Sequence, residues 1–214
     1  MTAVKLLDVM GSDLTVVNAA RVSLGKYHET FIEPDDRKLI AYLARNGHWT
    51  PFGQPQAQFR IQAPVFVARQ WFRSNIGTVR NEVSRRYVYD EPTFFEFDHF
   101  RMRPDKSIKQ GSGVDASPVL DAIAKVAFME VESAALEAYN KMIQRGIAPE
   151  QARAILPQTM LTEWIETGSL AYWARFCGLR LDPHAQKEIR DYAVKISAVM
   201  AQEFPVSWEH LVHG

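Results

Sequence analysis

The chain has 214 residues, 25 Lys and Arg against 25 Asp and Glu, a 47% hydrophobic share and one cysteine. Zero formal net charge argues against a protein held to nucleic acid by a broad basic field, which has to neutralise many phosphates at once, and a lone cysteine excludes a disulfide scaffold. Length and apolar content suit one domain over residues 1–214, while early charges at the N-terminus and short apolar runs predict a soluble, cytoplasmic protein with no membrane span.

Val4 to Val17 is apolar and β-branched around Gly11-Ser12-Asp13, which predicts two short strands. Glu33-Pro34-Asp35-Asp36 opens a helix carrying Leu39, Ile40 and Leu43 on one face and closing at Gly47. Ala57 to Gln62 alternates as a strand does, and Pro64 then leads into a short helix from Val65 to Arg73. Strands are expected at Tyr87-Val88-Tyr89 and Phe94-Phe95, and the Gly-, Ser- and Pro-rich stretch Arg101 to Pro118 reads as a mobile loop.

Beyond it, apolar residues from Leu120 through Ile123, Ala127 and Val131 to Met142 recur every three or four positions, one long amphipathic helix stopped by Gly146. Shorter helices are expected over Ala148 to Ile155 and Thr162 to Phe176. Asp182-Pro183 looks like the start of a last helix running to Phe204. The sum is an α+β fold, a small mixed or antiparallel sheet with a helix-rich C-terminal half, and no internal repeat is apparent.

The chemistry concentrates in Arg69 to Tyr87, where five arginines, two asparagines, two serines and a threonine meet one acid. Arginine forks suit bidentate phosphate binding and the small polar residues complete an anion cradle; the bland alternative is a solvated charged face. Interleaved aromatic and β-branched residues favour the cradle. Leu179 to Gln186 reads as a capped helix start with Arg180 and His184, and in isolation that is all it need be. Arg153 stands beside the helix-breaking Pro157. Cys177, in Phe176-Cys177-Gly178-Leu179 with no His nearby in sequence, reads as a buried structural thiol.

Five segments carry a resemblance in order and spacing: Gly47 to Phe52, Ala63 to Arg73, Asn81 to Tyr87, Arg153 to Pro157, and Leu179 to Ile189. Together, from Ala19-Ala20-Arg21-Val22-Ser23 to Trp208, the chain resembles the flavin-dependent thymidylate synthases. It departs from their hallmark, Arg-His-Arg followed by seven residues and Ser. Here Arg73-Ser74-Asn75 is followed by eight residues before Ser84, and Gly53-Gln54 stands where Glu-His is usual. The resemblance implies a homotetramer with shared active sites, FAD as cofactor, NADPH as reductant and methylenetetrahydrofolate as carbon donor, with no metal, nucleic acid or membrane partner.

By the same resemblance the nucleotide falls to Gln70, Trp71, Phe72, Arg73, Glu82, Val83, Ser84, Arg85, Arg86, Arg153 and Arg180. The flavin falls to Thr50, Arg73, Ser74, Asn75, Glu82, Ser169, Ala171, Arg175 and His184, and the folate to His48. Arg180 is the expected catalytic residue, a fixed cation against the pyrimidine as carbon 5 becomes nucleophilic. The implied activity is C5-methylation of dUMP, UMP or both, the last as in nucleoside-antibiotic pathways of the polyoxin kind, where one inserted residue in the Ile76 to Val83 loop would make room near the sugar. A degenerate, non-catalytic flavin or nucleotide binder is the alternative from another class.

Overall fold

The structure, a computed structural model, describes residues 3–88, 90–105 and 111–212. Its elements in chain order are β1 (Ala3–Met10), α1 (Asp13–Arg21), α2 (Asp35–Arg45), β2 (Gln56–Pro64), α3 (Val65–Trp71), β3 (Thr78–Glu82), α4 (Pro118–Gln144), α5 (Pro149–Ala152), β4 (Leu161–Ser169), α6 (Leu170–Arg180), α7 (Lys187–Glu203) and α8 (Pro205–Val212). The four strands form an antiparallel sheet in the order β1-β2-β4-β3. The α+β expectation with a helix-rich C-terminal half holds. No helix among the described residues is long and apolar enough to cross a membrane.

The chain divides into two compact units. One comprises residues 62–72 and 82–164. Here Trp71 and Trp164, both fully buried, meet edge to face with ring centres 5.2 Å apart. Phe66, Phe95, Phe97, Phe100 and Phe128 form a second aromatic cluster. The other unit comprises residues 2–61, 73–81 and 165–214. Its core includes Val16, Ile40, Phe59, Trp173, Phe176, Ile189, Ile196, Met200 and Phe204, all 0% exposed. Each large apolar side chain buried in this way stabilises the fold by roughly 1.5–3 kcal/mol relative to exposure.

β2 and β4 have the same burial pattern along nine residues, and each runs without a loop into a helix. The main-chain bonds at the two joints match as well. Val65 N–H donates to the Met160 carbonyl at 3.0 Å, and Leu170 N–H, 105 residues on from Val65, donates to the Pro55 carbonyl, 105 residues before Met160, at 2.9 Å. The repeat escapes a reading of the letters because only the alternation is shared. Gly168 permits the second joint its tightness, since a Cβ there would lie 2.3 Å from the Tyr172 ring.

Several expectations are corrected. The second half of Val4 to Val17 is helix: Asp13 is no turn residue, because its carboxylate accepts the Val206 and Ser207 amides at 2.9 Å each and caps α8. Thr162 to Phe176 is strand as far as Ser169, with Thr162, Trp164 and Glu166 buried in alternation. Asp182-Pro183 does not open a helix; the Asp182 carboxylate accepts the His184 amide at 2.7 Å in a local turn, and α7 starts at Lys187. The stretch between Ile76 and Val83 is mostly strand β3, not loop.

Phe94 makes only an isolated bridge to Met160, and no named strand covers Tyr87 or Val88; Tyr89 lies outside the described residues. In the stretch expected to be a loop, Arg101 bridges Asp115, and Lys106 to Gln110 lie outside the described residues.

Candidate active site

The turn after α3 and the strand that follows it carry the arginine-rich segment. Arg80, on β3, places its Nε 2.9 Å from a carboxylate oxygen of Glu166, which is 0% exposed on β4. Its Nη2 donates to the Ser74 carbonyl and, at 3.0 Å, to the Tyr172 hydroxyl. Thr78 donates a further hydrogen bond of 2.8 Å to Glu166. Burial opposes the Arg80 charge, yet the hydrogen bond and charge of Glu166 outweigh it and its pKa is raised. Burial also pushes the Tyr172 phenol up, with the Glu166 charge adding to it.

Arg180 ends α6, where the negative end of the helix dipole favours a cation. Its pKa is lowered, chiefly by burial and then by the charge of Arg73, with Tyr172 acting the other way. Two guanidinium groups close enough to repel one another make a site that favours an anion or a developing negative charge. Arg175, one turn earlier and exposed, donates to the Ile76 carbonyl at 2.6 Å, and the Ser169 amide donates to the Gly77 carbonyl at 2.9 Å. Gly77 has φ +84°, a conformation open to glycine at little cost.

A pocket of about 470 Å³ in the same unit is lined by His48, Trp49, Phe52, Ala171 and Arg175, together with Leu43, Ala44, Gly47, Ala174, Gly178, Leu179 and Leu211. Of the expected cofactor and folate residues it gathers His48, Ala171 and Arg175. Thr50 is exposed, Ser169 is buried as the N-cap of α6 with its hydroxyl accepting the Tyr172 amide at 3.1 Å, and none of Thr50, Ser169 or His184 lines the pocket. Arg73 and Asn75 are exposed and Ser74 is half-buried.

In the other unit, Glu82 accepts a 2.6 Å hydrogen bond from Thr162, and the Val83 amide donates to the Glu163 carbonyl at 2.8 Å. Ser84 to Tyr87 then form a turn, with the Tyr87 amide donating to the Ser84 carbonyl. Arg86 lies 3.2 Å from Glu150, on the short helix that Arg153 follows, so Arg86 and Arg153 are brought to one turn. Arg85 donates to the Asp90 carbonyl. Gln70 is half-buried. Trp71 is a core residue, and Phe72 packs its ring 5.1 Å from Trp164, so the Trp71 side chain serves packing. Cys177 is buried as expected, and burial pushes its thiol up, away from the thiolate a nucleophile needs.

Sequence reasoning missed Arg80 and Glu166. The buried acid had a legible signal, a carboxylate on the apolar phase of an alternating run. Its partner was hidden, 86 residues away among exposed arginines.

Residues 5–206 match the family model described as thymidylate synthase complementing protein, Thy1. A flavin-dependent thymidylate synthase of Thermus thermophilus is 39% identical over 99% of this chain and 77% of its own length. That of Thermosipho melanesiensis is 35% identical over 96% and 88%. Among solved structures, the UMP/dUMP methylase PolB of Streptomyces cacaoi bound with 5-Br UMP superposes with a TM-score of 0.87 at 28% identity, over 100% of this chain and 94% of the other. Bound with 5-Br dUMP, the same enzyme gives 0.89, over 100% and 95%.

Proposed function

The chain belongs to the flavin-dependent thymidylate synthase family, and from that premise we propose how its residues carry out flavin-dependent C5-methylation of a uracil mononucleotide, dUMP or UMP. The observation that carries the reading is the half-buried Arg180 at the C-terminal end of α6, where the helix dipole favours a fixed cation. Arg180 is the catalytic residue: a fixed cation there stabilises negative charge developing on the pyrimidine as carbon 5 becomes nucleophilic. Gln70, Phe72, Arg73 and the run Glu82 to Arg86 orient the nucleotide, with Trp71 contributing through its backbone, and Arg86 and Arg153 take the phosphate as a pair of forks.

The pocket beside Arg175 fits a flavin, because Trp49 and Phe52 offer aromatic and apolar walls to a planar ring while Arg175 and His48 offer polar groups. Of the residues that the family resemblance assigns to the flavin, Ala171 and Arg175 line this pocket; Thr50, Arg73, Ser74, Asn75, Glu82, Ser169 and His184 are assigned by the resemblance alone, as is His48 to the folate side. When bound, reduced FAD supplies the hydride; methylenetetrahydrofolate supplies the carbon and NADPH the reducing equivalents. The chain's own contribution is placement, since holding reactants in near-attack geometry removes much of the entropic barrier.

The whole of residues 1–214 acts as one such domain, and the active form is a homotetramer with shared sites. Support for assembly comes from α4, where Ile123, Val126 and Met129 are 60%, 54% and 67% exposed. The likeness to PolB favours activity on UMP as well as dUMP, which would suit a specialised methylase. The test is to incubate the FAD-loaded protein with NADPH, methylenetetrahydrofolate and either nucleotide, and to identify products by mass spectrometry. A 5-methyl product is expected from dUMP. No product from either nucleotide would overturn the function, and a product from dUMP alone would remove the specialised option.

A further inference from the structure

We infer that Arg80 is a positioning residue of the flavin site, holding the Arg73–Gly77 turn by its backbone so that Arg73, Ser74 and Asn75 stand where the cofactor needs them. The inference rests on the flavin reading above. Three elements converge on this one guanidinium: Glu166 of β4, the hydroxyl of Tyr172 on α6, and the carbonyl of Ser74 in the turn. A planar fork with five donors can serve three acceptors at once, which a lysine ammonium on a flexible stem does poorly.

The buried carboxylate of Glu166 fixes the arginine, and Thr78 fixes the carboxylate. The turn is then held at three carbonyls, Ser74 by Arg80, Ile76 by Arg175 and Gly77 by the Ser169 amide. A segment so tied needs no regular structure of its own to be rigid. The hallmark His and second Arg are replaced by the shorter Ser74 and Asn75, which reach less far, so the path of their backbone matters more. Arg80 lies in the stretch that is one residue longer than the hallmark spacing.

The test combines FAD titration with amide hydrogen exchange of the peptide spanning residues 74–77, on the full chain. Arg80→Lys keeps a cation for Glu166 and gives up the fork. It should raise exchange across the turn and weaken FAD binding at least tenfold. Tyr172→Phe, which removes one acceptor of the same guanidinium, should weaken it less, and the double variant should lose no more than Arg80→Lys alone, since both changes act through one guanidinium. Unchanged exchange, unchanged FAD affinity in Arg80→Lys, or strictly additive losses would each overturn the inference. Failure of the unsubstituted protein to take up FAD would instead overturn the flavin reading, leaving the exchange data to judge the hold on the turn. Should Arg80→Lys not fold, Tyr172→Phe, which removes one partner of the same guanidinium, takes its place: weakening of twofold or more upholds the inference and no change overturns it.

Discussion

The two strand-to-helix joints, β2 into α3 and β4 into α6, are built on one burial pattern and filled with different chemistry. β2 buries Ala57, Phe59, Ile61 and Ala63, all at most 1% exposed. At the corresponding positions β4 buries Thr162, Trp164, Glu166 and Gly168. Where the first joint has the methyl groups of Ile61 the second has a carboxylate, and a carboxylate cannot stay ionised there alone. It therefore recruits Arg80 and Thr78, and through Arg80 the turn that Arg175 of the pocket also holds. One buried apolar-to-acid exchange thus converts a packing joint into a scaffold for charge.

The largest effect should come from the end of the polar joint. Arg180→Ala should lower methylation by about two to three orders of magnitude in kcat, the usual scale for removing one fixed electrostatic stabiliser. FAD uptake should persist. Equal activity in Arg180→Ala would show that the joint's charge serves architecture only.

Next in size is the buried pair itself. Glu166→Ala should destabilise the protein by about 3–5 kcal/mol in denaturant unfolding, because it strands the Arg80 charge. Ile61→Ala at the apolar joint should cost about 2–5 kcal/mol through its cavity. The two joints separate in the repair: Glu166→Ile with Arg80→Met should regain most of the stability, as apolar replacements of buried pairs often do, without regaining FAD affinity. If affinity also returned, the charge would have no role in the site.

A smaller loss of stability is expected away from both joints. Arg86 and Glu150 are each about half exposed, 52% and 54%, so breaking the pair should cost under ~1 kcal/mol. Arg86→Ala should instead raise KM for the nucleotide roughly tenfold, on the scale of one charge-assisted hydrogen bond, with kcat little changed. A fall in kcat with unchanged KM would move Arg86 out of phosphate binding.

Smallest is an acid effect at Asp121. The Phe100 amide at 2.7 Å, followed by Lys125, holds its carboxyl below the usual carboxylate range. A depressed folded pKa means stability present above the unfolded value and lost as pH falls through the folded one. Asp121→Asn should therefore lower the thermal midpoint slightly at pH 7 and narrow the gap to the original protein near pH 2. An equal deficit at both pH values would remove the charge from the account.

Much of this was legible in the letters. The α2 helix with its Gly47 stop, β2, and α4 between Ser117 and Gly146 follow from periodicity and capping, and the motif order gave the family. Local pattern failed where a partner lay far along the chain. Asp13 reads as a turn residue until its carboxylate is seen capping α8. Thr162 to Ser169 reads as helix because Glu, Trp and Ile tolerate one, and pairing within the sheet overrides that preference.

The sequence by itself determined the chemistry available: neutrality, one cysteine in an apolar run, and arginines gathered in three segments in the family's order. Only the tertiary structure decided which charges are spent on architecture and which are left for ligands. Arg80 and Arg73 look alike in the chain; one is bound to a buried carboxylate and the other is exposed. The reason is that a charge's role depends on the dielectric and the partners around it, and folding supplies both from residues remote in sequence.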